Sequence, residues 1–261
     1  MNLEDTFRLL ENIASSNYIG KPMLVGGIPR DIYLGINKDF YKDIDLTTNS
    51  PDILRLGISF ADRIDSSFHL FDDGHLSVYF QDYNYDFSSN FISENVVEFL
   101  KKEKGITDPK FFEIYSRDFT INTLHKELFS EDILDPTGMG LDDCNRKIIR
   151  TICDPNITLN DDPRRAYRAI NFASRFGFQI DREIISFINK NIEIFSIEKN
   201  PTIKEAFVSS AISQALEADS DRTISNLLET NLFYEVPMIG RFKEELIRKR
   251  LVLKYLDNKK Y

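Results

Sequence analysis

The 261-residue chain has only two cysteines, three histidines and no tryptophan. Cys144 and Cys153 have neither CxxC spacing nor histidine companions, which argues against a disulfide framework and a structural zinc site. His69, His75 and His125 are scattered and read as ordinary side chains rather than metal ligands. Positive charge is in short supply. Lys and Arg total 33 against 42 Asp and Glu, a net charge of −9. A chain of this balance does not grip nucleic acid by general electrostatics, though a local basic groove on an acidic body stays open. No apolar run reaches the length of a membrane span and no signal-peptide pattern opens the chain, so the expectation is a soluble cytoplasmic protein. Internal repeats and low-complexity tracts are also lacking. Hydrophobic residues make up 42%, enough for a packed core and too many for wholesale disorder.

The first third alternates helical and strand patterns. Leu3, Phe7, Leu10 and Ile13 recur at helical spacing. "PMLVGG" reads as a short strand ending in a glycine turn, and Pro29 suits the first turn of the helix that follows. "DIDLTT" reads as a strand. "SPDILRLGISFADRI" reads as a helix with Ser50 as cap and Pro51 just inside. "HLSVYFQD" and "YNYDFSS" read as a hairpin turning near Tyr83 and Asn84. Residues 90–110, with the charge run "KKEKG", read as a polar loop holding at most a short helix. "RDFTINTLHKEL" reads as a helix, "ILDPTGMGLDD" as a turn and "KIIRTI" as a short strand. From Asn160 onward nearly everything has helical periodicity. The fold class is therefore α+β, a mixed head followed by an all-helical region.

The chemistry gathers around "LVGGIPRDIYLG" and "DIDL". Asp43 and Asp45 are two apart on an expected strand, so both carboxylates share one face. Aspartate is a poor strand former, so two in one short strand need a reason. Carboxylates so placed repel unless a cation sits between them, and Mg2+, hard and oxygen-seeking, is the natural guest. Asp86, in the second hairpin strand, is either an acid on an exposed face or a third ligand. A sheet that sets it beside Asp43 and Asp45 would make a cage for two metals, which clamps both oxygens of a phosphoryl displacement. Gly26 and Gly27 would let the backbone approach a triphosphate, and Arg30 would add a charged fork for its oxygens. The same glycines would equally serve a plain strand–helix turn.

"LVGGIPRDIYLG", "KDIDLTT", "RDFTINTL", "DPTGMGLDD" and "NDDPRRAYRAINFASRFGF", in this order, resemble the class II tRNA nucleotidyltransferases (CCA-adding enzymes) and the related bacterial poly(A) polymerases, over roughly residues 20 to 180. The resemblance implies a polymerase-β-like nucleotidyltransferase head over 1–141, a nucleotide-recognising neck over 142–200 and a short helical body over 201–261. It implies that Asp43, Asp45 and Asp86 hold catalytic Mg2+, with Asp86 where the family more often has glutamate. It implies nucleotide contacts from Gly26, Gly27, Arg30, Arg117, Asp118, Asn122, Asp162, Arg165 and Arg168. The implied reaction adds C and A from CTP and ATP to a tRNA 3′ end. Poly(A) synthesis, addition of CC or A alone, and catalytically weak RNA binding on the same fold remain the rival readings.

Asp162 and Arg165 are expected three apart on one helix, sharing a face. Aspartate only accepts hydrogen bonds and arginine only donates. Such a pair meets the amino group and ring nitrogen that cytosine and adenine offer side by side, and leaves uracil or guanine mismatched. The family uses this pair as a protein template. The plain alternative is a helix-surface salt bridge. The chain departs from the family at Asp161, where glutamate is usual, at Asn171, where an arginine is usual and Arg175 could substitute, and at Ser116, where the family has a second arginine before Arg117. The last segment is basic (Arg241, Lys243, Arg248, Lys249, Arg250, Lys254, Lys259, Lys260) and reads as a solvated amphipathic helix or as an RNA-backbone contact.

Overall fold

The structure, a computed structural model, describes residues 2–36, 41–48, 50, 52–72, 74–88 and 92–236. The expectations for Pro51 and for the basic segment after residue 240 lie outside the described residues. The chain divides into two compact units, the first comprising Met1–Arg146 with Thr151–Cys153, the second Lys147–Arg150 with Asp154 onward.

The first unit runs α1 (Leu3–Ser16), β1 (Met23–Val25), α2 (Gly27–Tyr33), β2 (Asp43–Thr47), α3 (Ile53–Arg63), β3 (Phe68–Leu70), β4 (Leu76–Phe80), β5 (Tyr83–Phe87), α4 (Glu94–Glu103), α5 (Pro109–Tyr115), β6 (His125–Glu127) and α6 (Gly140–Arg146). Among the described residues its strands form one mixed sheet in the order β3-β4-β5-β2-β1-β6. β2 and β5 are parallel neighbours, and the other pairs are antiparallel. The alternation that marked these strands in the sequence decides the packing. Ile44, Leu46, Leu76, Val78, Tyr85 and Phe87 all point to one face and are fully buried with Leu10 of α1 and Leu56 and Phe60 of α3. Gly57 lets α3 lie close to the sheet, since a Cβ there would stand 2.8 Å from Leu76 and Phe87. The intervening residues, Asp43, Asp45, Asn84 and Asp86, are thereby turned to the opposite face.

Four local expectations are corrected. The hairpin turns at Gln81 and Asp82, both at positive φ (50° and 67°), which is the geometry a two-residue hairpin turn needs. Residues 94–103 form a full helix: Ser93 caps the Val96 N–H, Val96 and Leu100 are buried, and Lys101 and Lys102 sit in the last turn. The charge run that suggested a loop is thus a helix C-terminus, where cations suit the helix dipole. "RDFTINTL" is not a helix. Asp118 Oδ1 accepts from Phe119 N and Asn122 Nδ2, both 2.8 Å, holding a single 3-10 turn at Thr120–Asn122 before β6. The side-chain acceptor competes with helical bonding, and the β-branched Thr120, Ile121 and Thr123 add to the preference. α3 begins at Ile53 with Asp52 in the cap position, and Ser50 Oγ accepts from Asp52 N at 3.3 Å.

The second unit runs β7 (Ile148–Ile149), α7 (Pro155–Asp161), α8 (Arg164–Phe176), β8 (Gln179–Ile180), α9 (Arg182–Lys190), α10 (Glu205–Ala218) and α11 (Ser220–Glu229). β7 and β8 pair in parallel. Asp154, Asp181 and Asp219 cap the N-termini of α7, α9 and α11. α8 packs along α10, and small residues are buried on both, Ala166, Ala169 and Ala173 on one and Ala211 and Ala215 on the other. No described helix is long and apolar enough to cross a membrane.

Candidate active site

The parallel β2–β5 ladder sets Asp45 opposite Asp86 and Asp43 opposite Asn84. The three acids named from the sequence therefore share one face on adjacent strands. Asp43 is exposed; Asp45 and Asp86 are partly buried. Asn84 Nδ2 donates to Asp86 Oδ2 at 3.2 Å, and Ser77 on β4 donates to Asn84 Oδ1, which fixes the amide with its nitrogen toward the acid.

Gly26 lies above Asp45. Its backbone is at φ 73°, ψ −119°, a region open essentially to glycine alone. A Cβ there would stand 3.1 Å from Asp45 Oδ2 and 3.4 Å from Arg117 Nη1. The turn, the second acid of Asp-x-Asp and Arg117 thus converge on one point. Arg117 is held from behind: Nη2 donates to Glu113 Oε1 at 3.4 Å and Nη1 reaches the Asn122 carbonyl at 3.5 Å. Glu113 is buried on α5 and also accepts from Thr47 Oγ1 at 3.3 Å. Burial pushes the Glu113 carboxyl up, and the Arg117 charge partly offsets the rise. His125 is buried nearby. Burial, aided by Arg117, pulls it down to about 3, so it is neutral across the working pH range.

Arg30 is turned inward. Its side chain is 5% exposed; Nε and Nη2 donate to Asp31 Oδ1 at 2.9 and 2.7 Å, and Nη1 donates to Asn122 Oδ1. Asn122 in turn donates to Asp118. Arg30, Asn122 and Asp118 therefore form one chain of hydrogen bonds. Gly27 sits over it, where a Cβ would lie 3.5 Å from Arg30 Nη2. Asp31 serves as the structural partner of Arg30.

The second unit does not carry the helical pair expected of Asp162 and Arg165. Asp162 ends α7 in an extended conformation, φ −145° and ψ 95°, because the residue before Pro163 is driven out of the helical region. Its carboxylate accepts from Arg164 Nε and Nη2 at 2.8 and 3.0 Å and from Arg164 N at 3.0 Å. Arg165 is buried on α8 and donates to the Thr158 carbonyl at 3.2 Å. Arg168 lies over the Phe172 ring, 5.2 Å from its centroid. Asn171 donates to Gln214 at 3.4 Å.

Glu113, Thr47, Asn84 and Ser77 were not singled out from the sequence. Glu113 stands four before Arg117, an acid–base spacing a helix would announce, and Asn84 stands two before Asp86 on the same strand face. Among the described residues no three His, Cys, Asp or Glu side chains form a ready-made metal cluster, so the three-acid cage is not preassembled. Asp45 and Asp86 offer only hard oxygen donors in register, the kind of set a divalent cation completes with phosphate oxygens and water.

An α+β head whose parallel strand pair carries opposed aspartates below a glycine turn is the architecture of polymerase-β-like nucleotidyltransferases. Residues 22–150 match the family model described as the poly(A) polymerase head domain. Over this head the chain is similar to the poly(A) polymerase head domain, and to proteins named as a CCA-adding enzyme and a tRNA nucleotidyltransferase. The CCA-adding enzyme of Anoxybacillus flavithermus is 30% identical over 170 residues, covering 61% of this chain and 39% of that protein. The tRNA nucleotidyltransferase cca2 of Schizosaccharomyces pombe is 27% identical over 254 residues, covering 88% of this chain and 51% of its own length. A solved tRNA nucleotidyltransferase, complexed with a primer tRNA and an incoming ATP analogue, superposes with a TM-score of 0.66 at 21% identity. It covers 94% of this chain, which covers 67% of it, and at that identity the likeness speaks for the fold. The chain spans about two fifths to half of the two curated relatives' length.

Proposed function

We propose that the chain is an RNA nucleotidyltransferase that adds C and A to a tRNA 3′ end from CTP and ATP. The observation that carries this reading is the convergence of Asp45, Gly26 and Arg117, with Asp86 opposite Asp45 on the neighbouring strand. The named activities of the two relatives supply the substrate class. The RNA 3′-oxygen attacks the α-phosphorus of the incoming nucleotide. A P–O bond forms, the α–β bridge breaks, pyrophosphate leaves, and the hydroxyl proton passes to solvent.

Asp43, Asp45 and Asp86 would hold Mg2+, which when bound lowers the barrier by neutralising phosphate charge and favouring the ionised 3′-oxygen. The rest belongs to the protein's own groups. The glycine turn admits phosphate oxygens close to the backbone. Arg117 presents Nη1 at that turn. The Arg30–Asn122–Asp118 chain stiffens the walls on which nucleotide and sugar would rest. Residues 142–200 act as a base-reading neck and 201–261 as a short body. Base reading by Asp162 and Arg165 requires the Asp162 carboxylate to exchange Arg164 for a base amino group. Such an enzyme works in the cytoplasm, where tRNA and nucleoside triphosphates meet. The test is incorporation from CTP and ATP, supplied singly and together, into a tRNA ending before CCA. Mg2+-dependent products that Asp43→Ala cannot make support the reading; an equally active Asp43→Ala overturns it.

A further inference from the structure

We propose that Glu113 is a positioning residue of the nucleotide site, acting through Arg117. It sits on α5 and is 7% exposed at its side chain. Nothing in the expected chemistry asks for a buried carboxylate there. A buried charge is tolerated only when paired and hydrogen-bonded, and both conditions are met by groups that belong to the site. Oε1 accepts from Arg117 Nη2, and Oε2 accepts from Thr47 Oγ1 on β2, two residues beyond Asp45.

This arrangement fixes the direction of Arg117. Glu113 occupies the Nη2 side of the planar guanidinium, so the Nη1 side is held toward Gly26 and Asp45. A guanidinium clamped along one edge is pre-organised, and its other edge meets a phosphate with less loss of side-chain freedom. Thr47 ties the same carboxylate to the strand that carries Asp45, so Arg117 and the acids keep one register. The raised pKa of Glu113 follows from its burial, partly offset by the Arg117 charge and by its hydrogen bonds from Arg117 and Thr47. Because Arg117 stands at the turn, the effect falls on the triphosphate and is indifferent to the base.

This inference rests on the nucleotidyltransferase reading. The test uses the full chain with Mg2+ and compares the unaltered protein with Glu113→Gln. Inorganic tripolyphosphate binding is measured by calorimetry, and KM and kcat are measured for CTP and ATP. The expected result is a KM raised by the same factor, about tenfold, for both nucleotides, an equal loss of tripolyphosphate affinity, and a kcat changed by less than about threefold. Glu113→Asp should recover part of the loss. A double variant with Arg117→Ala should lose no more than Arg117→Ala alone. If Glu113→Gln does not fold, Thr47→Val, which removes the hydroxyl that donates to Glu113, should weaken tripolyphosphate binding in the same direction. Unchanged binding in the variant that folds, a loss confined to kcat, or losses that add to those of Arg117→Ala overturn the inference. An unaltered protein that neither binds tripolyphosphate nor incorporates nucleotide overturns the underlying reading instead.

Discussion

Asp45 and Asp86 face one another across the parallel β2–β5 ladder, each on the side of the sheet away from the apolar core. Like charges opposed on neighbouring strands oppose pairing, by roughly 0.2–1 kcal/mol. In metal-free buffer Asp86→Asn should therefore raise the thermal midpoint slightly. Adding Mg2+ should raise the midpoint of the unaltered protein and leave that of Asp86→Asn nearly unmoved. Equal responses of the two proteins in a melting titration would count against a shared cation at this pair.

Gly26 and Gly27 are adjacent yet should respond differently. Gly26→Ala forces a Cβ into the left-handed region, within 3.1 Å of Asp45 Oδ2, and should cost about 1–3 kcal/mol along with most nucleotide incorporation. Gly27 is helical, and its nearest neighbour, the end of Arg30, would be 3.5 Å away. Gly27→Ala should change stability by less than about 1 kcal/mol. Urea unfolding of the two variants measures the contrast, and equal losses would contradict it.

β2, β4 and β5 were legible because they alternate, and parity alone put Asp43 and Asp45 on one face while leaving Asp86 open; β3 was not read, and β6 lies in a segment that reads as a helix. What parity could not supply is which strand lies beside which. The Asp45–Asp86 register comes from the parallel β2–β5 pairing, a contact between segments about forty residues apart. The 3-10 turn at Thr120–Asn122 was misread as a helix because apolar spacing was weighed and the acceptor at Asp118 was not. The same lapse hid the end of α7. Pro163 forbids Asp162 a helical backbone, and that signal stood in the sequence. The pairing of Arg117 with Glu113 was missed because residues 111–116, which include most of α5, were given no element.

Acid should destabilise the protein through His125. Its pKa is about 3, against an ordinary value of 6.5, so the folded state binds fewer protons than the unfolded state between these values. The stability this neutral histidine contributes is complete above about pH 6.5 and is lost as pH falls toward 3, with a slope of up to about 1.4 kcal/mol per unit. Glu113 has the opposite sign: its pKa is raised, so its contribution is lost as pH rises through that value. The difference between unaltered protein and His125→Gln isolates the histidine. Urea melts from pH 7 to 4 should give a shallower decline for His125→Gln, and parallel curves would contradict this assignment.

Arg164 holds Asp162 through Nε and Nη2 of its guanidinium, at a surface where such pairs stabilise by only about 0.2–1 kcal/mol. Arg164→Ala should leave the melting point nearly unchanged and lower KM for both CTP and ATP by releasing the Asp162 carboxylate. Steady-state kinetics of the variant test this, and a raised KM would assign Arg164 to binding the nucleotide itself.

The most direct measurement is the product ladder on a tRNA that ends before CCA, with Mg2+ present. CTP alone should give two added residues, CTP with ATP three, and Asp43→Ala none. Absence of Mg2+-dependent extension by the unaltered protein, or a long ladder from ATP alone, would contradict the account.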